Sequence, residues 1–233
     1  MKKITTLFAV GVVALGASAQ ADQVESTEYA LITIPMVQGA SAYNLVGISV
    51  NPIGDNPTLA TVFGDSLNDT ALVMESNSAT AVEPDAVPAV QGNAVWIKNA
   101  TVDYVYELGV APAESGTATV ATTTGGSLAM LATPFASTWD LSKLDLQKNG
   151  SSVLASGAGT NPRTADKVSI WQAGSNKYYD YVYIGTQWRA ANKATPASLP
   201  TIRPGEGVFV KLCSSRTEGN TDVTISAPAA VAP

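Results

Sequence analysis

Residues 92–98 read GNAVWIK and residues 205–211 read GEGVFVK. Both follow one pattern: Gly, any residue, a small residue, Val, an aromatic, a β-branched residue, Lys. A repeat of this kind decides the fold before any single element does. Weaker resemblances fall in the same order on either side. YALITIP (29–35) resembles YELGVAP (106–112), and NLVGIS (44–49) resembles SLAMLA (127–132). LATV (59–62) resembles LSKL (141–144), and ALVM (71–74) can be laid on KVSI (167–170). The spacing between partners grows from 77 to 113 residues, so the second copy carries insertions. The largest insertion holds KYYDYVYIGTQW (177–188), with four of the eight tyrosines, and the first copy lacks that aromatic meander.

The apolar runs are short, β-branched and separated by turn residues, which favours strands over helices. Two stretches read as short helices. In 59–67, Leu59, Val62 and Phe63 share one face; in 139–146, Leu141 and Leu144 align and Asp140 is placed to cap. The fold expected is mainly β: two divergent β-sandwich or barrel-like modules from an internal duplication, with one or two short helices. The expected division is a signal peptide (1–19), a first module (20–101), a second module (102–216), and a C-terminal strand with a Pro/Ala-rich tail (217–233).

The N-terminus carries Lys2 and Lys3, an apolar run, and Ala17-Ser18-Ala19, the pattern of a cleaved export signal. The apolar run is shorter than the roughly 20 residues of a membrane span. Cleavage after Ala19 removes two lysines and no acid. The remainder then holds 11 basic and 19 acidic side chains, a net charge of −8. Such a chain repels phosphate backbones and anionic membranes, so no nucleic-acid partner is expected. No later segment reads as transmembrane. The expected location is the cell surface or beyond, with the periplasm as the other possibility.

Histidine is absent, which excludes imidazole-based triads and imidazole metal sites. Carboxylate chemistry survives that test, as does an all-oxygen calcium site. Asp55, Asp65 and Asp69 lack the spacing of a calcium loop. No catalytic residue, metal or cofactor is assigned. Cys213, the single cysteine, lies beside an apolar run and reads as a buried thiol. Pro204-Gly205-Glu206-Gly207 precedes a strand, so it reads as a tight turn and not as a phosphate loop.

The candidate binding residues come from the aromatic stretch. Alternation puts Tyr179, Tyr181 and Tyr183 on one face, and the turn at Gly185-Thr186 returns Trp188 beside Tyr183. Trp171 lies on the preceding strand. Such rings suit sugar or protein partners, and they equally suit cross-strand packing within a sheet. A terminal strand with Thr221, Val223 and Ile225 could add to a sheet edge of its own chain or of a neighbour.

The second copy, from Asp166-Lys-Val-Ser-Ile-Trp171 through the Tyr-rich strand and Trp188 to Pro204-Gly-Glu-Gly-Val-Phe-Val-Lys211, resembles a motif of exported, uncharacterised β-rich proteins of the Planctomycetes–Verrucomicrobia–Lentisphaerae bacteria. The likeness spans roughly 127–212. It implies an extracytoplasmic location and β architecture, and no catalytic residues. The functional expectation is a non-enzymatic structural or adhesive protein, a surface or filament-like assembly subunit whose partners are copies of itself or cell-surface polysaccharide. The alternatives are a carbohydrate-binding module and a carboxylate-based hydrolase.

Overall fold

The computed structural model describes residues 28–39, 42–67, 71–75, 78–98, 102–111, 117–122, 128–135, 138–148, 151–152, 164–172, 175–192, 195–213 and 221–226. Residues 1–27, which include the expected signal 1–19, residues 153–163 and the tail 227–233 lie outside the described residues. The chain is mainly β, in several sheets of which none closes into a barrel. Among the described residues, no helix is long and apolar enough to cross a membrane.

The repeated block forms a strand in each copy: β5 (Ala94–Lys98) and β16 (Gly207–Lys211). Its leading glycine enters the strand at positive φ both times, +87° at Gly92 and +81° at Gly205. A side chain is strained there, which accounts for glycine in both copies. β5 is flanked by β2 (Tyr43–Gly47) and β3 (Ala71–Glu75), with β4 (Ser78–Val82) beyond, giving the order β2-β5-β3-β4. β16 is flanked by β8 (Leu128–Ala132) and β12 (Lys167–Gln172). Beyond β12 come β13 (Lys177–Ile184) and β14 (Gln187–Ala190), giving β8-β16-β12-β13-β14. The two orders are the same apart from β14.

The registers refine the alignment. Leu45 opposes Trp96 as Met130 opposes Phe209, so NLVGIS corresponds to residues 129–134, two positions later than the sequence alone implies. Ala71 opposes Ile97 and Val82, just as Val168 opposes Val210 and Tyr181. The first copy therefore has the β12–β13 hairpin, as β3–β4. What the second copy adds is the longer end of β13 and then β14. The expectation that the whole meander was an insertion is corrected on this point.

Short helical turns also correspond. α1 (Leu59–Phe63) is capped by Thr58, and Leu59 N donates to Val87 O. A 3-10 turn (Leu141–Lys143) is capped by Asp140, whose carboxylate accepts from Ser142 N at 2.7 Å, and Leu141 N donates to Pro200 O. The second helix is shorter than expected because the chain passes directly from this turn into β10 (Leu144–Lys148). A two-residue β9 (Trp139–Asp140) before it pairs with β15 (Thr201–Ile202).

Three apolar clusters organise the molecule. The first lies on one side of the β2/β5 sheet, with Val46, Val95 and Ile97, and is closed by Leu59, Val62 and Phe63 of α1 and by Ala30, Ile34 and Val105. Those last residues belong to a ribbon in which β1 (Tyr29–Pro35) pairs with β6 (Tyr104–Val110). β6 thus starts the second copy yet covers the first core, so residues 102–111 cross the expected boundary. The second cluster holds Leu131, Val168, Val208 and Val210 of the β8/β16 sheet together with Leu144 and Leu146 of β10. β10 sits in a sheet of order β11-β10-β17-β7, with β7 (Thr117–Thr122), β11 (Ser151–Ser152) and β17 (Thr221–Ser226). The third cluster joins the copies: Leu45, Ala94 and Trp96 against Ala132 and Phe209.

Contacts between the copies follow an approximate twofold. Gly47 N donates to Gly205 O at 2.9 Å, and its counterpart Ala132 N donates to Gly92 O at 2.7 Å. The bridge Val46–Glu206 is matched by Leu131–Asn93. In the ribbon, Leu31 directly opposes Leu108, its own counterpart. Near this axis two corresponding pairs, Gly47/Ala132 and Ala94/Gly207, each hold one glycine and one alanine. Gly47 faces Ala132, and a Cβ added at Gly207 would lie 2.7 Å from both the Ala94 Cβ and the Leu45 Cγ. There is room for one methyl group, not two. Gly207→Ala is therefore expected to cost about 1–3 kcal/mol by overpacking. Adding Ala94→Gly should recover part of the loss in chemical denaturation, the Leu45 contact keeping the rest, and strictly additive losses would refute the Ala94 share of the constraint.

Candidate functional site

The alternation expected for the aromatic strand is found, and it points inward. Tyr181 and Trp188 are 1% and 4% exposed, and Tyr179 and Tyr183 pack half-buried against the same second core. Tyr183 and Trp188 oppose each other across β13–β14 with ring centroids 5.4 Å apart, edge to face. Trp188 Nε1 donates to Leu144 O at 3.3 Å, and the Tyr181 hydroxyl donates to Ser198 O at 3.4 Å. β10 and the segment approaching β15 cover this face. Two of the five proposed binding rings are thus core residues and two more pack partly buried against that core, so these four form no exposed stacking platform. The sequence pattern showed which rings share a face but not which face the second sheet would cover.

Trp171 has a different setting. Its Nε1 donates to Tyr43 O at 2.6 Å, across the two copies. Its ring meets Trp96 edge-on at 5.1 Å and Tyr178 at 4.8 Å, and Trp96 lies 5.5 Å from Phe209, its counterpart in the repeat. Tyr178 is the exposed end of this ladder. Edge-to-face pairs of this kind add about 0.5–1.5 kcal/mol each beyond their area. Asp180, on the same face of β13, accepts from Ser169 Oγ at 2.6 Å and lies 3.4 Å from Lys167 Nζ.

A cleft of about 340 Å³ opens beside Trp171, between the copies. Asn44, Gln172, Thr201, Arg203 and Glu206 bring polar groups to it. Much of that capacity is already engaged. Asn44 Oδ1 accepts from Val37 N and its Nδ2 donates to Val37 O, while Glu206 Oε2 accepts from Arg203 N. Burial pushes the Glu206 carboxyl up, opposed by that backbone bond and by the Arg203 charge. Among the described residues lining the cleft, Glu206 is the one carboxylate, and no second carboxylate among them stands opposite it.

Glu107, on the inner face of β6, is fully buried. Its Oε1 accepts from Ser49 N at 2.5 Å and Val50 N at 2.9 Å, and its Oε2 has no hydrogen-bond partner. Desolvation pushes the carboxyl up from 4.5 to about 7, with the two backbone donors opposing. The proton is thus favoured in the folded chain. This group's stabilising contribution is complete below about pH 4.5 and is lost as pH rises through about 7.

Among the described residues, no three Cys, Asp or Glu side chains are grouped to hold a metal. Asp55 is exposed, while the Asp65 side chain and Asp69 lie outside the described residues. Cys213 is buried, and its N–H donates to Asp166 Oδ1 at 2.9 Å. The assembly strand is placed in its own sheet. β17, with Thr221, Val223 and Ile225, pairs with β7 along one edge and β10 along the other. Both edges of this strand are occupied within the chain, so it is no free strand for a neighbour.

The surface that the sequence reading passed over is the outer face of the β1–β6 ribbon. Tyr29, Leu31, Tyr104, Tyr106 and Leu108 stand 38–56% exposed on it. They are five of the eight large exposed hydrophobic residues among those described, gathered on one face. The signal was present in the sequence: YALIT and YVYEL are apolar at both parities, which a strand with one solvated face does not need. No protein-family model, no curated protein and no solved structure matches this chain.

Two measurements follow from these placements. Trp188→Ala should lower stability by about 3–5 kcal/mol, as a core truncation does; a folded, equally stable variant would place the ring outside the core. Glu107→Gln should flatten the stability profile between pH 5 and 8, where the wild-type chain is expected to lose roughly 3 kcal/mol. Parallel profiles for the two proteins in denaturation across that range would refute the assignment.

Proposed function

We propose that the protein is an exported, non-enzymatic structural or adhesive subunit acting at the cell surface, and that it makes its contacts through the outer face of the β1–β6 ribbon. The observation that carries this reading is the gathering of Tyr29, Leu31, Tyr104, Tyr106 and Leu108 on that face. The largest contiguous apolar patch on a protein surface is often where something docks. Tyrosine is well suited to such contacts, having large amphipathic area and few rotamers to lose. The basic, apolar and A-x-A features of residues 1–19 support export. The occupied edges of β17 move the expected assembly surface from the C-terminal strand to the ribbon. Burial of Tyr181 and Trp188 leaves the carbohydrate-binding alternative without the platform it was built on.

Tyr106→Lys tests the reading, because the side chain is exposed and its loss should leave the core intact. Retention of the purified protein on isolated envelopes of its own cells is expected to fall at least fivefold, with the thermal midpoint unchanged. Equal retention of variant and wild type would overturn the contact surface.

A further inference from the structure

We infer that the partner of the ribbon face is the same face of a second copy of this chain, docked ribbon on ribbon with Leu31 and Leu108 at its centre. The inference rests on the reading of that face as the contact surface and names its occupant.

Three observations lead to it. The first is symmetry. Leu31 and Leu108 are counterparts in the duplication and oppose each other directly, so the local twofold runs through this pair. Around them Tyr29 opposes Val110 and Tyr106 opposes Thr33, and a half-turn exchanges the two pairs. A face that nearly repeats itself after a half-turn offers matching contacts to its own copy in two orientations, with centre meeting centre in both. That is the self-complementarity an isologous interface needs.

The second observation is charge. The full chain carries a net charge of −6, so two copies repel across most of their surfaces. None of Tyr29, Leu31, Thr33, Tyr104, Tyr106 or Leu108 is Asp, Glu, Lys or Arg. The face is a neutral apolar window through which like-charged copies can approach. A basic partner gains nothing from it.

The third is area. Three half-exposed tyrosines, at roughly 200 Å² each, and two half-exposed leucines offer about 400–500 Å². Two such faces bury about 1,000 Å², the lower bound for a specific interface and the size of a weak, reversible one. Sheets stack face to face at about 10 Å, with side chains of the two inner faces interleaved. Two two-stranded ribbons stacked this way form a small four-stranded sandwich without displacing any part of either chain.

The test uses the full exported chain. Sedimentation from about 1 µM to about 500 µM covers the range in which an interface of this size associates. A reversible monomer–dimer equilibrium is expected, with Leu31→Lys raising the dissociation constant at least tenfold at an unchanged thermal midpoint. Leu31→Cys should be captured as a dimer by a short bismaleimide spanning about 10 Å. Val90→Cys, equally exposed but away from the ribbon, should not be captured, and the buried Cys213 serves as background in both. A concentration-independent monomer with no captured dimer would overturn the second copy. If Tyr106→Lys still lost envelope retention in that case, the contact surface would stand with a different partner. If Leu31→Lys instead lowered the thermal midpoint of a strict monomer, the face would be covered by the chain itself, and both readings would fall.

Discussion

Ser49 ties the two copies together at a point where nothing can be replaced by water. It is fully buried, and all three of its polar groups are engaged by different segments. Its N–H donates to Glu107 Oε1, its carbonyl accepts from Gln91 Nε2 at 2.9 Å, and its hydroxyl accepts from Gly205 N at 2.8 Å. Gln91 Nε2 also donates to Pro134 O at 3.1 Å. An unmade bond in such a place costs about 1–3 kcal/mol, more than a made one adds. Ser49 thus places the ribbon, through Glu107, and the entry to β16, through Gly205, and the Gln91 amide it holds reaches on to Pro134, just past β8. The approximate twofold is held in register here, and the outward face of the ribbon is oriented as a result.

The same junction explains where the aromatic residues lie. Once the β2/β5 and β8/β16 sheets exchange backbone bonds at Gly47 and Ala132, their facing sides must be filled. The repeat's aromatic position supplies Trp96 from one copy and Phe209 from the other, and Trp171 and Tyr178 extend the ladder to the surface. The inner face of β13 serves the other core. One short strand thus feeds two clusters, which is why it is so rich in tyrosine.

Much of this was legible in the sequence. The repeated block, the colinear order of its neighbours, the cap at Asp140 and the shared face of Tyr179, Tyr181 and Tyr183 follow from local patterns, and local patterns are what a sequence exposes. Less legible was anything fixed by a distant partner. The burial of Trp188 depends on β10, more than 40 residues away. The crossing of β6 to the first core depends on β1, some 75 residues earlier. The strand β4 was not legible as the counterpart of β13 because backbone pairing preserved its place while the sequences diverged. The ribbon face was not legible because apolar residues at both parities fit a strand buried on both faces as well as one with an outward contact face.

The position of β17 bears on how the chain can reach this state. Its neighbour β7 lies about 100 residues earlier, and Thr221 pairs with Thr122. Without β17, β7 and β10 have no strand between them and their sheet is divided. Pairings that close such long loops come late and slowly. A chain emerging N-terminus first from the ribosome would therefore keep its second half open until its last described strand arrived, so that half closes after the segment 221–226 has been made and not before.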